Sequence, residues 1–162
     1  MTIEIIKADY FNKQHSQEIP MLLESFAADT MGGGMQLSET VMNNLVNELS
    51  KLPHAFSVIA YVDRQPAGLV NCFEVFSTFY CKPLINIHDV VVLNEYRGNG
   101  ICQRMLDKVE EIARARGCCK LTLEVLNKNE VAKSAYKKFG FSDHDLDPEA
   151  STTLFWQKLL TT

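Results

Sequence analysis

The spacing of apolar positions changes several times along the chain, and each change marks an element. Ile3, Ile5 and Ile6 predict a short first strand. Between about Tyr10 and Ala28, Ile19, Leu22, Leu23 and Phe26 recur at helical spacing, with Pro20 as a point of kink or restart. Three successive glycines, Gly32 to Gly34, break that regularity. Ser38 then caps a second helical pattern through Val41, Leu45, Val46 and Leu49, and Pro53 ends it. A strand-rich stretch follows. Ala55 to Val62 is apolar and β-branched, Asp63 to Gln65 reads as a turn, and a longer strand runs from Pro66 to about Phe79. The next strand, Leu84 to Leu93, contains Val90, Val91 and Val92 in succession, which suits burial on both faces.

The remainder alternates helix and strand. From Gly98 to about Arg116, Ile101, Met105, Val109 and Ile112 share one face, with Arg104, Lys108, Glu111 and Arg114 solvated. Leu121, Leu123 and Val125 alternate as a strand. Asn129 to Phe139 is a short helix stopped by Gly140. Phe141 and Leu154 to Leu160 predict two last strands, joined by a polar turn from Asp145 to Thr153. The order β-α-α-β-β-β-α-β-α-β-β predicts an α/β fold with about four helices. Its mixed sheet is mostly antiparallel, with one βαβ crossover between Leu84 and Val125.

With 162 residues the length prior is one domain, and 46% hydrophobic against 22% charged residues excludes wholesale disorder. The net charge of −4 leaves no electrostatic footprint for nucleic acid. No apolar run reaches the ~18 to 20 residues of a membrane span, and no signal peptide is read at the start. Five cysteines, at 72, 81, 102, 118 and 119, form neither a CxxC pair nor an even framework, so they read as reduced thiols of a cytoplasmic protein. Histidines at 15, 54, 88 and 144 offer no metal-ligand spacing, and no metal is expected.

The chemistry concentrates at the crossover. A buried strand ending at Val92 and Leu93 runs through Arg97, Gly98, Asn99 and Gly100 into a helix beginning at Ile101, Cys102 and Gln103. The first turn of a helix carries unpaired N–H groups and partial positive charge. Glycines let an anion approach that backbone, and Arg97 adds a cation, so the segment predicts a cradle for a pyrophosphate. A dinucleotide would need a third glycine where Gln103 stands and several parallel βαβ units, although Glu124 sits where a ribose-binding acid would be expected.

The other carrier is coenzyme A. Here the Arg-x-x-Gly-x-Gly/Ala pattern, matched by Arg97 and Gly100 with Cys102 as a departure at its end, resembles the pyrophosphate motif of the GNAT family of N-acetyltransferases. A second stretch, Asn129, Ala132, Tyr136, Gly140 and Phe141, resembles that family's Asn-x-x-Ala-x-x-x-Tyr-x-x-x-Gly-Phe run. The resemblance covers Val58 to Leu160 in element order. It implies a small, bacterial-type single-domain member spanning residues 1–162. Residues 1–55 would supply variable substrate-side helices, and residues 56–160 the acetyl-CoA-binding core.

The resemblance further implies acetyl transfer from acetyl-CoA to the amine of a small molecule or protein, by direct attack in a ternary complex. Tyr136 would protonate the leaving thiolate. Backbone groups of Val90, Val91 and Val92 would hold the pantetheine amides and the acetyl oxygen. Asn129 would bond the pantetheine arm or cap its helix, two compatible roles. His88 is the candidate base, with Asp89, Glu124 or a water relay as alternatives; side-chain alternation on a strand would turn His88 and Asp89 to opposite faces. Met31 to Met35 reads equally as a lid or a solvated loop. Phe76, Phe79 and Tyr80, with acids Glu24, Asp29, Glu39 and Glu74, are candidates for an acceptor pocket suited to a cationic amine. A polyamine, an aminoglycoside, an amino acid and a protein amine all fit. A homodimer is implied by the resemblance alone. The reading from another class is a catalytically inactive CoA-binding sensor or interaction module.

Overall fold

The computed structural model describes residues 1–142 and 154–160. A five-stranded sheet forms the centre, its strands in chain order from edge to edge: β1 (Ile3–Lys7), β2 (Ala55–Val62), β3 (Gln65–Ser77), β4 (Lys82–Val92) and β5 (Leu121–Leu123). The first four pair antiparallel, and β4 pairs parallel with β5. The described residues hold four α-helices: α1 (Lys13–Ala28), α2 (Glu39–Ser50), α3 (Ile101–Ala115) and α4 (Glu130–Phe139). This is the mixed sheet with a single βαβ crossover expected from the sequence. With one parallel pair, the described residues hold no stacked βαβ units of the kind a dinucleotide fold requires.

Local signals explain the boundaries. Asn12 caps α1 by accepting from the backbone N–H groups of Gln14 and His15, so the helix starts later than the apolar spacing alone suggests. Pro20 is buried within α1, which continues through it to Ala28. Ser38 caps α2 by accepting from Val41, as expected. Asp63 and Arg64, at φ 47° and 67°, make the tight hairpin between β2 and β3. The Met31–Met35 loop contains a single 3₁₀ turn, Thr30–Gly32.

The sheet separates two apolar layers. On one face, Val58, Val70, Ile85 and Ile87 pack against Ile101, Met105, Leu106 and Val109 of α3, with Tyr136 and Phe139 of α4 alongside. On the other, Ile59, Tyr61, Leu69 and Val91 meet Ile19 and Leu22 of α1 and Val46 of α2. The valine triplet therefore does serve both faces: Val90 and Val92 point to the α3 side and Val91 to the α1 side.

Two expected strands are corrected. Phe141 lies in irregular chain against α4, and Leu154 to Leu160 form no strand and are exposed. Residues Asp145 to Thr153, expected as a turn, fall outside the described residues. No helix among the described residues is long and apolar enough to cross a membrane, and no cluster of three or more His, Cys, Asp or Glu there could hold a metal ion.

Gly68 shows how closely α3 is seated. A Cβ built there would stand 2.9 Å from the Val91 carbonyl oxygen and 2.9 Å from Met105 Cε. The methionine end can move but the backbone oxygen cannot. Gly68→Ala is expected to destabilise the fold by ~1–2 kcal/mol, lowering the urea midpoint at unchanged m-value; an equal or higher midpoint would contradict this packing.

Candidate active site

The site originates in an irregularity of β4. Asn71 pairs with Asp89 but Cys72 pairs with Ile87, so His88 is an extra residue without a partner on β3. A bulge shifts side-chain parity by one. Before it, Ile85 and Ile87 face α3; after it, Val90 and Val92 do. The expectation that His88 and Asp89 face opposite sides is overturned for the same reason. His88 lies edge-on to Phe73, with ring centroids 5.5 Å apart, and Asp89 Oδ2 accepts from Asn71 Nδ2 at 3.0 Å. Phe73 and Asn71 are two apart on β3, so both partners occupy one face.

The bulge also ends the pairing of β4 with β5. Only Ile85, Asn86 and Ile87 face Leu121, Thr122 and Leu123; from His88 to Val92 the strand has no partner on that side among the described residues. A cleft of about 800 Å³ opens there. Val90, Val91 and Val92 line one wall, the α3 entrance another, and Asn129, Ala132 and Tyr136 of the α4 segment a third. Asp29, Thr30 and Met31 reach in from the N-terminal part of the chain.

The α3 entrance has the properties of an anion cradle. Gly98 and Gly100 adopt φ 80° and 74°, the left-handed region that glycine enters without strain, and a Cβ built at either would meet nothing within 4 Å. Gly100 is the N-cap and supplies no side-chain cap, so the first N–H groups of α3 remain available to a ligand. Arg97 Nε donates to the Val92 carbonyl oxygen at 3.0 Å, and its Nη2 stands 3.9 Å from Asp29 Oδ2. Asn99 Nδ2 donates to the carbonyl oxygens of Tyr96 and Arg97, which stiffens the loop. Arg97, Gly98, Gly100, Ile101, Cys102 and Gln103 all line the cleft. Asn99 is instead the brace behind it. The open space over the two glycines, the bare helix start and one guanidinium fit a pyrophosphate.

Helix α4 is tied to this cradle. Gln103 Nε2 donates to the Ala135 carbonyl oxygen at 2.8 Å, and Asn129 Oδ1 accepts from Ala132 N–H as the N-cap of α4. Asn129 thus caps its helix and faces the cleft together. Tyr136, next to Ala135, is partly buried, edge-on to Phe141, and its phenol pKa is raised by desolvation and then by nearby Cys102. Burial likewise pushes the Cys102 thiol up to about 11. Burial therefore favours the protonated phenol of Tyr136.

Some expected acceptor residues stand elsewhere. Phe76, Phe79 and Tyr80 are exposed around the β3–β4 hairpin and do not line the cleft. Glu24 accepts from the Leu37 N–H, and Glu74 pairs with Arg116 at 3.5 Å; of the four acids only Asp29 reaches the cleft. Glu124 also lines it. Three residues escaped the sequence reading. Tyr10, Ser57 and Asn71 form a polar chain ending at Asp89. Ser57 and Asn71 are polar side chains inside apolar strands, and that was the available signal.

The chain belongs to the Acetyltransferase (GNAT) family, whose sequence profile it matches over residues 19–141. It is 42% identical over 59 residues to a thialysine N-epsilon-acetyltransferase of Bos taurus, a match covering 36% of this chain and 35% of that protein. The chain thus spans about a third of that relative's length. The structure resembles a ribosomal-protein-alanine N-acetyltransferase from Brucella melitensis biovar Abortus 2308, with TM-score 0.72 and 17% identity over 96% of this chain and 100% of that one. It also resembles AAC(6')-Iy in complex with the bisubstrate analog CoA-S-monomethyl-acetylneamine, with TM-score 0.77 and 16% identity over 99% and 100% of the two chains.

The buried protonated groups predict an alkaline limit to stability. The pKa values of Cys72, Cys102, Tyr61 and Tyr136 are all raised, chiefly by desolvation, above ordinary values of 9.0 for the thiols and 10.0 for the phenols. The unfolded chain loses these protons first, so this contribution is intact below about pH 9 and falls as pH rises beyond it. Thermal melts in a pH series should show the midpoint dropping from pH 9 to 11; a flat midpoint there would contradict the burial.

Proposed function

We propose that the chain is an acetyl-CoA-dependent N-acetyltransferase acting by direct attack of an amine in a ternary complex. The observation that carries the reading is the opening of β4 away from β5 at the bulge, directed at the bare α3 entrance with Tyr136 beside it. Residues Arg97 to Gln103 hold the diphosphate. Main-chain groups of Val90, Val91 and Val92, paired with β3 on one side and open on the β5 side among the described residues, bind the pantetheine amides and polarise the acetyl oxygen, and Asn129 steadies the arm. Residues 1–55 form the acceptor side and residues 56–160 the acetyl-CoA side of one domain.

An alkyl ammonium with pKa about 10.4 is a free amine in only ~1 molecule in 2,500 at pH 7, so its proton must be removed. His88, exposed on the cleft wall, accepts that proton directly or through water. The C–N bond forms as the C–S bond breaks, the Tyr136 hydroxyl gives its proton to the departing sulfur, and the remaining extra proton on the acylated nitrogen returns to the Tyr136 oxygen, directly or through water. The thialysine chemistry in the name of the similar protein makes small cationic amines the first acceptors to try. The five free cysteines support a reducing, cytoplasmic setting. The exposed apolar side chains from Leu154 to Leu160 give a second copy of the chain a surface to cover.

The test combines binding and turnover. Acetyl-CoA should raise the melting temperature of the protein. Free thiol should then be released with at least one of spermidine, thialysine, neamine and a lysine-containing peptide. Binding without turnover on that panel would favour the sensor reading, and no binding would remove both. Arg97→Ala is expected to raise the acetyl-CoA KM about tenfold, equivalent to ~1.4 kcal/mol, with little change in kcat. Tyr136→Phe is expected to lower kcat by about a hundredfold at similar acetyl-CoA affinity; unchanged kcat would remove the acid role.

A further inference from the structure

A polar chain crosses the α1 side of the sheet and ends in the cleft. Tyr10 OH lies 2.8 Å from Ser57 Oγ, Ser57 Oγ donates to Asn71 Oδ1 at 2.6 Å, and Asn71 Nδ2 donates to Asp89 Oδ2 at 3.0 Å. Ser57 is 0% and Asn71 4% exposed, so this is a built arrangement within apolar strands. Its polarity follows from chemistry at the cleft end. An ionised carboxylate only accepts, so the amide must present Nδ2 to Asp89. That leaves Oδ1 toward Ser57, whose single proton is thereby committed. Tyr10 must then be the donor to Ser57. Every donor in the series points toward Asp89, and each bond polarises the next.

The consequence for Asp89 is a fixed orientation. Its Oδ2 is held by Asn71, while Oδ1 accepts no hydrogen bond among the described residues, and Asp89 is one of the residues lining the cleft, next to His88. The bulge puts both on one face of β4. A carboxylate held next to the candidate base is suited to an ammonium group arriving from the α1 side.

We propose that Asp89 receives the acceptor's ammonium, and that Asn71, oriented by Ser57 and Tyr10, is a positioning residue that holds Asp89 for it. This rests on the N-acetyltransferase reading, and the experiment separates the two. The probe is whichever of the four amines named above turns over fastest. Asp89→Asn should raise its KM at least tenfold, with acetyl-CoA KM changed less than about threefold; an unchanged acceptor KM would overturn the assignment. Asn71→Leu should raise the acceptor KM about five- to tenfold in the native background but less than about twofold in Asp89→Asn, because its effect passes through that carboxylate. Should Asn71→Leu fail to fold, Ser57→Ala is read in the same cycle, and Tyr10→Phe should give a smaller change of the same kind. Equal multiplication of KM in both backgrounds, or an equal effect on acetyl-CoA KM, would overturn the positioning role while leaving acetyl transfer standing. Loss of turnover by the native chain on every amine would instead remove the enzyme reading and this proposal with it.

Discussion

One unpaired residue in β4 organises the site. Inserting His88 between Ile87 and Asp89 without a counterpart on β3 bends the strand and advances its side-chain parity by one. The apolar rows survive because the sequence shifts with the backbone: Ile85 and Ile87 face α3 before the bulge, and Val90 and Val92 after it. The valine triplet lets the strand remain buried on both sides across that change. The backbone hydrogen-bonding groups that β5 would have used are freed where the α3 entrance can share them with a ligand. A regular β4 would zip to β5 and leave no cleft.

Helix α3 depends on the same division. Its apolar row anchors it against β2, β3 and β4, while its first turn is left bare by Gly100. Stability comes from the row and ligand capacity from the unsatisfied end, so the two do not compete for the same atoms. Gln103 then transmits the position of α3 to α4 through the Ala135 carbonyl, which fixes Tyr136 relative to the cradle.

Much of this was legible in the order of residues. Strand β2 and helices α3 and α4 follow from period and local capping, because neighbouring residues decide them. The cradle was legible for the same reason: Arg97, Gly98 and Gly100 act within a few residues of one another. The bulge was not read, although its trace is present. Ile85, Ile87, Val90 and Val92 skip a beat across His88 and Asp89, a break in alternation that looks like an ordinary polar pair until the β3 partner is known. The chain from Tyr10 to Asp89 and the contact between Asp29 and Arg97 join residues far apart in sequence, where single-chain patterning carries no distance information. The last expected strand failed on a different ground: alternation in Leu154 to Leu160 is weak, and apolar content does not by itself supply a pairing edge.

The contact between Asp29 and Arg97 gives the cradle and the N-terminal loop a common currency. A guanidinium has a single positive charge to divide. A dianion seated over the α3 entrance would draw on the same charge that attracts Asp29, so occupancy at one end would slacken the tether at the other. By thermodynamic reciprocity, a loop pulled tight against Arg97 would weaken the hold on such a dianion by the same factor. Asp29 and Arg97 line one cleft, so both segments would face the same ligand.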